Sequence, residues 1–525
     1  MTSGSLPEDP RWVKSIRLIP PSLGDNTADA DRLVTALNRA MGTTRIQISL
    51  EQFRELPDML RRWQYQAKAV VFKSDPQTGI LVHLAPPDDT TCLCGLAVDL
   101  GSTRVVLRLV DLAAGTTLGE RVFDNPQIAV GPDILARIHY ADTPSGLSRL
   151  RQLIIDGIQT ELARLCQDCG VFPDRIHLAA ISGNTAMTHL FLGITPRWMI
   201  REPYIPATNQ PGLFTAAELG LTLSANARVF IFPNVGSYFG GDLISGMLYA
   251  DLDQREETAM IVDVGTNAEV VLGNRDWMIA CAGAAGPALE GGMSRMGTTA
   301  GPGVIDRVAI DPKTLTFDIH TIADAPPRGI CGSGVIDLAA ALFLSGMVDI
   351  RGKLRPERCG NRFQVQNGLA HLIIVPAESS ATGKDLSISQ ADLDSLIRSK
   401  AAMYTILETL AASVGIQLEN LSTFFVAGTF GAYIDPRSAI TIGMIPDLAL
   451  SCYQSLGNSS LGGAARILTD PPCLDRVNPI RDSITYLELN VNQDFMNRFS
   501  AAKFLPHTDR SRFPSVPLPP DHTGN

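Results

Sequence analysis

One short turn occurs twice in this chain, and it constrains the fold more than any other feature. Asp-x-Gly, then Ser or Thr, then Thr or Asn, runs from Asp99 to Thr103 and again from Asp263 to Asn267. In each copy an apolar run enters the aspartate and resumes at once beyond the turn: GLAVDLGSTRVVLRLVDL from Gly95, AMIVDVGTNAEVVLG from Ala259. Strand, turn, strand with nothing between is the pattern of a β-hairpin tip, and two copies of one unit predict two similar half-domains. The chain can support both: 525 residues exceed what one core usually sustains, and 45% hydrophobic content fills more than one.

Around these hairpins the pattern alternates buried strands with helices, the α/β arrangement. Residues 1–10 are expected to be disordered. Residues 11–90 form a small α/β linker domain: an apolar stretch Val13 to Ile19, helices from about Ala28 to Ala40 and Glu51 to Trp63, and a boundary at Pro86-Pro87-Asp88-Asp89. Residues 91–255 form the first half-domain, with helices at Asp133 to His139 and Ser145 to Asp168 and a strand at Ile176 to Ile181. Residues 256–507 form the second, with helices at Gly334 to Leu344, Gln390 to Val414 and Asn492 to Ala502, and a strand at Thr423 to Ala427. A proline-rich, extended tail, 508–525, closes the chain.

A hairpin tip of this composition suits phosphate. Gly101 and Gly265 bring main-chain N–H groups close to an oxyanion by adopting backbone angles other residues resist, while Ser102, Thr103, Thr266 and Asn267 add side-chain donors. Asp99 and Asp263 then face a magnesium ion, which takes one or two carboxylates beside substrate phosphates, and orient attacking water. Either copy alone is also an ordinary tight turn; the repetition is what favours phosphate. Three glycine-rich loops extend the site. AGAAGPALEGG (Ala282 to Gly292, with Gly286 and Glu290) and GICGSGVIDLAAAL (with Gly332, Ser333 and Gly334) pass into helical stretches whose first N–H groups favour anions. FFVAGTFGAYI leaves its strand through Gly428, Thr429 and Gly431, where a flat adenine base can approach the backbone. Close packing of helix on strand demands glycine too, and competes at each of the three.

Other residues carry less. Cys166-x-x-Cys169 ends a helix without a second pair at zinc spacing, and it reads as structural, as do Cys92, Cys94, His177 and His189. Asp242, opening a helix after NVGSYFGG, is either a helix cap or a base or magnesium contact. A net charge of −10 is the wrong sign for holding a polynucleotide, so nucleic acid is excluded as a partner. The N-terminus lacks the basic and apolar regions of a leader, no apolar stretch is long enough to span a bilayer, and nine scattered cysteines make no disulfide scaffold. A cytoplasmic chain with no membrane contact is expected.

The strings CGLAVDLGSTRVVLRLVDL, DNPQIAVGPDILARIHYA, ISGNTAMTHLFLGI, FPNVGSYFGGDLISGM, VDVGTNAEVVLGN, CAGAAGPALEGG, GICGSGVIDL, VAGTFGAYID and FLPHTDRSRFPSV, in this order, resemble the ATP-dependent reductive activators of corrinoid proteins. The resemblance runs from about residue 11 to the end. It implies the ASKHA fold of actin, sugar kinases and heat-shock chaperones: two ribonuclease-H-like half-domains around a cleft for ATP and magnesium. It also implies an activity, in which hydrolysis drives electron transfer to a Co(II) corrinoid protein to regenerate Co(I) for methyl transfer. Those activators begin with a 2Fe-2S ferredoxin-like domain, whereas the first cysteine here is Cys92. No iron–sulfur cluster is therefore expected in this chain, and electrons are expected from a separate donor protein or from an upstream segment. The oligomeric state is open, a homodimer included. Two other functions fit the same scaffold: a small-molecule kinase with Asp242 as base, and a nucleotide-sensing scaffold without turnover.

Overall fold

The computed structural model describes residues 11–265, 268–283, 296–428, 433–487 and 494–519. They divide into two compact units, Met1–Asp251 with Ser459–Ser483, and Leu252–Asn458 with Ile484–Asn525.

The first unit opens with a sheet of β1 (Val13–Arg17), β2 (Arg45–Gln47), β3 (Gln66–Asp75) and β4 (Thr78–Ala85), ordered β1-β3-β4-β2. Helices Asp29–Met41 and Leu50–Arg62 bury Leu33, Leu37, Leu56 and Leu60, pairs four residues apart that share one helix face, in a core with Ile16, Val71 and Leu81. Their ends are written locally: a Ser49–Gln52 capping box starts the second helix and left-handed Gly42 stops the first.

A six-stranded sheet follows, built from β5 (Cys94–Leu100), β6 (Arg104–Asp111), β7 (Thr117–Asp124), β8 (Ile176–Gly183), β9 (Gly212–Thr215) and β10 (Arg228–Ile231), ordered β7-β6-β5-β8-β10-β9. Strands β5 to β7 are an antiparallel meander, and β8 returns parallel to β5 with β10 parallel beyond it. That is the ribonuclease-H arrangement. Helix Pro144–Cys169 lays Leu150, Ile154, Ile158, Leu162 and Leu165 into the core beneath it. Helix Ser459–Thr469, far along the chain, also packs in this unit, whereas the sequence-based division assigns 256–507 to the second half-domain. It lies against helix Gly241–Tyr249 with backbones nearly touching: a Cβ at Gly463 would collide with the carbonyl oxygen of Ser245. The Trp12 indole donates to the Ile467 carbonyl at 2.9 Å, tying the N-terminal sheet to the same helix.

In the second unit β11 (Ala259–Val264), β12 (Ala268–Gly273) and β13 (Met278–Gly283) form the meander. Two small sheets are inserted: β14 (Val304–Ile310), β15 (Phe317–Thr321) and β16 (Gly329–Ile330), then β17 (Phe363–Gln366), β18 (Leu369–Val375) and β19 (Leu386–Ser389). With β20 (Thr423–Ala427), β21 (Tyr453–Gly457) and β22 (Ile484–Tyr486) the main sheet reads β21-β20-β11-β12-β13-β22. Its first five strands repeat the order and directions of β10-β8-β5-β6-β7.

Helix Gln390–Ser413 crosses the core and carries Lys400, which is completely buried and donates to the carbonyls of Phe504 and Pro506. These bonds fix the segment just before the tail read as extended, and the tail itself packs onto the core. Tyr404 packs against His507 and Phe513, and Phe513 and Val516 belong to the core. The closing helix is Asp494–Ala502; the first residues of its expected span, 492 and 493, lie outside the described residues.

Candidate functional site

Strand β5 delivers Asp99 to the end of the first sheet, level with Ser182 of β8. The Asp99 carboxylate accepts a 2.7 Å hydrogen bond from Ser460 Oγ, which lies 3.1 Å from Ser182 Oγ. Ser245 Oγ in turn donates to the Ser460 carbonyl at 2.7 Å. The hydroxyls of three separate elements thus stand behind one carboxylate, and those of Ser182, Ser245 and Ser460 are buried. A carboxylate that accepts from a hydroxyl held in this way is positioned by a donor that carries no counter-charge, the condition a metal-binding or water-orienting carboxylate must meet.

Gly101 is required at the tip, but for a different reason than expected. Its φ is not left-handed; a Cβ there would collide with the carbonyl oxygen of Arg104, so the turn is too tight for any side chain. Buried Asn125 fixes the loop from behind, donating from Nδ2 to the Gly101 carbonyl at 2.9 Å and from its backbone N–H to Thr103 O at 2.8 Å. Ser102 is half-buried and Thr103 exposed.

Past β8, Gly183 leads to Asn184, which caps helix Thr185–Leu192 by accepting from Met187 N at 2.9 Å. The start of helix Gly241–Tyr249 is pressed against this one: a Cβ at Gly240 would stand 2.5 Å from Asn184 Cα and 2.6 Å from Asp242 Oδ1. Gly240 is the cap residue of that helix, with no side-chain capping bond. Asp242, weighed as a cap from sequence, is instead the second helical residue, and its Oδ1 accepts from Leu243 N at 2.9 Å.

In the second unit β11 brings Asp263 level with Glu269 of β12 and Ala427 of β20. Gly428 follows at φ +84°, a left-handed position, and a Cβ there would lie 2.7 Å from Asp263 Oδ1 and 3.2 Å from Val264 O. Both its conformation and its surroundings demand glycine. Gly265 is half-buried at the tip. Thr266, Asn267, Gly286, Glu290, Thr429 and Gly431 lie outside the described residues. Gly332, Ser333 and Gly334 open helix Gly332–Leu344 and are all buried. A Cβ at Gly334 would meet the Ile305 carbonyl oxygen at 2.5 Å, so the packing of helix on β14 by itself requires glycine here.

Sequence reasoning missed Ser460, Ser182, Ser245 and Asn125. A signal existed for the β8 end, because ISGNT leaves its strand through glycine beside Asp99 much as VAGTF leaves β20 beside Asp263. Cys166 and Cys169 are free thiols, the former pushed up to about 11 by burial. Among the described residues no group of three or more His, Cys, Asp or Glu is placed to hold a metal. His189 is buried with Nδ1 2.7 Å from the Thr185 carbonyl. His177 stacks on His83 with ring centroids 4.3 Å apart, and burial holds its imidazole down at about 3.

Two ribonuclease-H-like sheets, each presenting an aspartate at its first hairpin tip beside a glycine exit from the neighbouring parallel strand, define the ASKHA class of nucleotide-binding folds. Residues 257–517 match the C-terminal domain of RACo, the ASKHA domain, residues 94–255 the RACo middle region, and residues 11–91 the RACo linker region. The chain belongs to the RACo family. It is 30% identical over 413 residues to the corrinoid activation enzyme RamQ of Eubacterium limosum, spanning 77% of this chain and 69% of that one. It is 25% identical over 436 residues to the Co(II) methylated amine-specific corrinoid protein reductase of Methanosarcina barkeri, spanning 77% and 75%. The solved structure of a reductive activator for corrinoid, iron-sulfur protein superposes with a TM-score of 0.85 at 38% identity, covering 96% of this chain and 81% of that one. Among the described residues no helix is long and apolar enough to cross a membrane.

Proposed function

We propose that this protein binds and hydrolyses ATP with magnesium and thereby drives the return of a Co(II) corrinoid protein to Co(I) in a methyl-transfer system, with electrons from a separate donor protein. The observation that carries the nucleotide part is the pair of tips at which Asp99 and Asp263 each lie one residue before the end of the first strand of a ribonuclease-H-like sheet. The residues present fit the ligands. The crowded turn at Gly101 and the left-handed Gly428 leave main chain, not side chain, beside both aspartates, and carboxylate oxygens are the donors magnesium prefers. Asp99 and Asp263 are assigned to the metal and to orienting water, with Asp242 as a further carboxylate. Gly101, Ser102, Thr103, Gly265, Thr266 and Asn267, with Gly286, Glu290, Gly332, Ser333 and Gly334, are assigned to phosphate, and Gly428, Thr429 and Gly431 to adenosine. ATP, when bound, supplies the free energy that an uphill reduction requires.

The corrinoid part is supported by the relatives, two of which are named for corrinoid activation or reduction. Hydrolysis can be coupled to a partner only if nucleotide states differ in their affinity for it, so the corrinoid protein should bind differently to the ATP-loaded and ADP-loaded protein. We place the activity in the cytoplasm, where nine free cysteines are compatible with a reducing environment.

The test is magnesium-dependent ATP hydrolysis by the purified protein and its Asp263→Ala variant, under reductant, with and without a Co(II) corrinoid protein from the same organism, while Co(I) is followed by absorbance. Hydrolysis lost in the variant and altered by the corrinoid protein supports the proposal. No ATP binding overturns it, and hydrolysis indifferent to the corrinoid protein transfers the assignment to a kinase.

A further inference from the structure

Two cysteines that play no part in hydrolysis are in contact where the linker region ends. Cys92 and Cys94 flank Leu93 at the start of β5, and Cys94 Sγ donates toward Cys92 Sγ at 3.2 Å. That is closer than non-bonded heavy atoms usually approach. Residues two apart in an extended chain face the same way but stand about 6.6 Å apart along it, so the two side chains lean toward each other to make this contact.

Their surroundings are unequal. Cys94 is wholly buried in the core of the first ribonuclease-H-like sheet, whereas Cys92 is half-buried. The hydrogen bond to Cys92 and burial together push the Cys94 thiol far up, so it keeps its proton and offers it to the neighbouring sulfur. A more accessible sulfur with a second sulfur in contact behind it is the arrangement of an attacking and a resolving thiol. The other close pair by sequence is placed differently: Cys166 is packed in the core, and Cys169 Sγ fills the space over Gly119 of β7.

We propose that Cys92 and Cys94 are a redox-modification site that closes to a reversible disulfide on exposure to a peroxide. The Cys92 thiolate attacks one peroxide oxygen; the O–O bond breaks, the second oxygen leaves as water after taking a proton, and Cys92 becomes the sulfenic acid. The Cys94 sulfur then attacks the Cys92 sulfur, the S–S bond forms, and the sulfenic hydroxyl leaves with the Cys94 proton as a second water. Two thiols give up two electrons in total, and one hydrogen peroxide becomes two waters. The sulfurs must close to about 2.05 Å, which constrains the first residue of the strand that carries Asp99. A protein that serves Co(I), which oxidants destroy, thereby carries a record of oxidant exposure in its own chain. The site itself stands whether or not the nucleotide assignment does.

The experiment treats the full chain with equimolar hydrogen peroxide, blocks remaining thiols with iodoacetamide and digests with trypsin. The fragment Ser74–Arg104 holds Cys92 and Cys94 and no other cysteine, and Leu165–Arg175 holds Cys166 and Cys169. The expected result is that the first fragment loses two hydrogens and takes no alkyl group, dithiothreitol reverses this, and the second fragment is alkylated twice. In Cys92→Ser, with an unchanged circular dichroism melt, Cys94 should remain reduced and be alkylated on unfolding. Double alkylation of the first fragment in the treated wild type, accumulation of Cys92 sulfinic acid in place of the disulfide, or prior oxidation of Cys166 with Cys169 would each overturn the proposal.

Discussion

At the first hairpin tip, Asp99 is held by side chains: Ser460 donates to it, Ser182 stands beside Ser460, and Ser245 holds Ser460 from behind. At the second tip, main chain crowds Asp263, because the left-handed Gly428 lies where a side chain would strike its Oδ1. The strand order behind the two aspartates is the same. What differs is the origin of the support, since Gly428 directly follows the strand beside Asp263, whereas Ser460 arrives 361 residues after Asp99. A repeated topology therefore fixes where a carboxylate emerges and leaves open how it is restrained.

The largest effect should come from breaking the main-chain side of this contrast. Gly428→Val forces a β-branched residue to φ +84° and into Asp263, and displacement of a positioned group by about 1 Å is enough for roughly a hundredfold loss of rate. ATP turnover should fall that far while the rest of the sheet melts normally; a variant with wild-type turnover removes Gly428 from the site.

Acid should act next, and mainly on the first sheet. His177, at the start of β8, is buried against His83, with Arg175 and Ser224 nearby, and its folded value of about 3 lies below the unfolded value of about 6.5. The unfolded chain binds the extra proton, so this contribution is complete above pH 6.5 and is lost as pH falls toward 3. Between pH 7 and 5 the loss is about 2 kcal/mol. Hydrogen exchange on β8 should show it in the wild type and not in His177→Asn, while Thr423, which opens the matching strand β20, has no proton to gain. Equal acid sensitivity in the variant would contradict this.

Removing the side-chain support should cost less. Ser460→Ala deletes a hydrogen bond to a carboxylate, about 1.5–3 kcal/mol at the site, and kcat for ATP should drop about tenfold or more with KM little changed. Ser460→Thr keeps the hydroxyl and should recover most of it; failure of Thr to rescue would mean that Ser460 only packs. Ser245→Ala, one bond further back, should cost about 1 kcal/mol or less, seen as a two- to fivefold fall in kcat.

Much of this architecture was legible because apolar strands ending in Asp-x-Gly permit few other structures. Local signals also set helix ends closely: Ser49 with Gln52, and Gly170 after Cys169. What was not legible depends on contacts distant in sequence. In NSSLGGAARIL the two serines look like a solvated helix start, and nothing in that string says which sheet it will meet. Gly101 and Gly334 were both recognised as special, but a sequence does not distinguish a glycine that welcomes a ligand from one that admits a neighbouring carbonyl. Asp242 illustrates the same gap, since cap and second helical residue differ by two positions.

The crossing of Ser459–Ser483 into the first unit has a consequence for how the protein is made. A ribosome adds about 5–20 residues per second, so Asp99 waits roughly 20–70 s for the serine that restrains it. Lys400 likewise waits for the carbonyls of Phe504 and Pro506 before its buried amine is satisfied. Neither unit can finish its core from the nascent chain alone. Both should complete folding only once the residues beyond 458 have emerged, and a message broken shortly after codon 458 should yield a product that chaperones and proteases find unfinished in both halves.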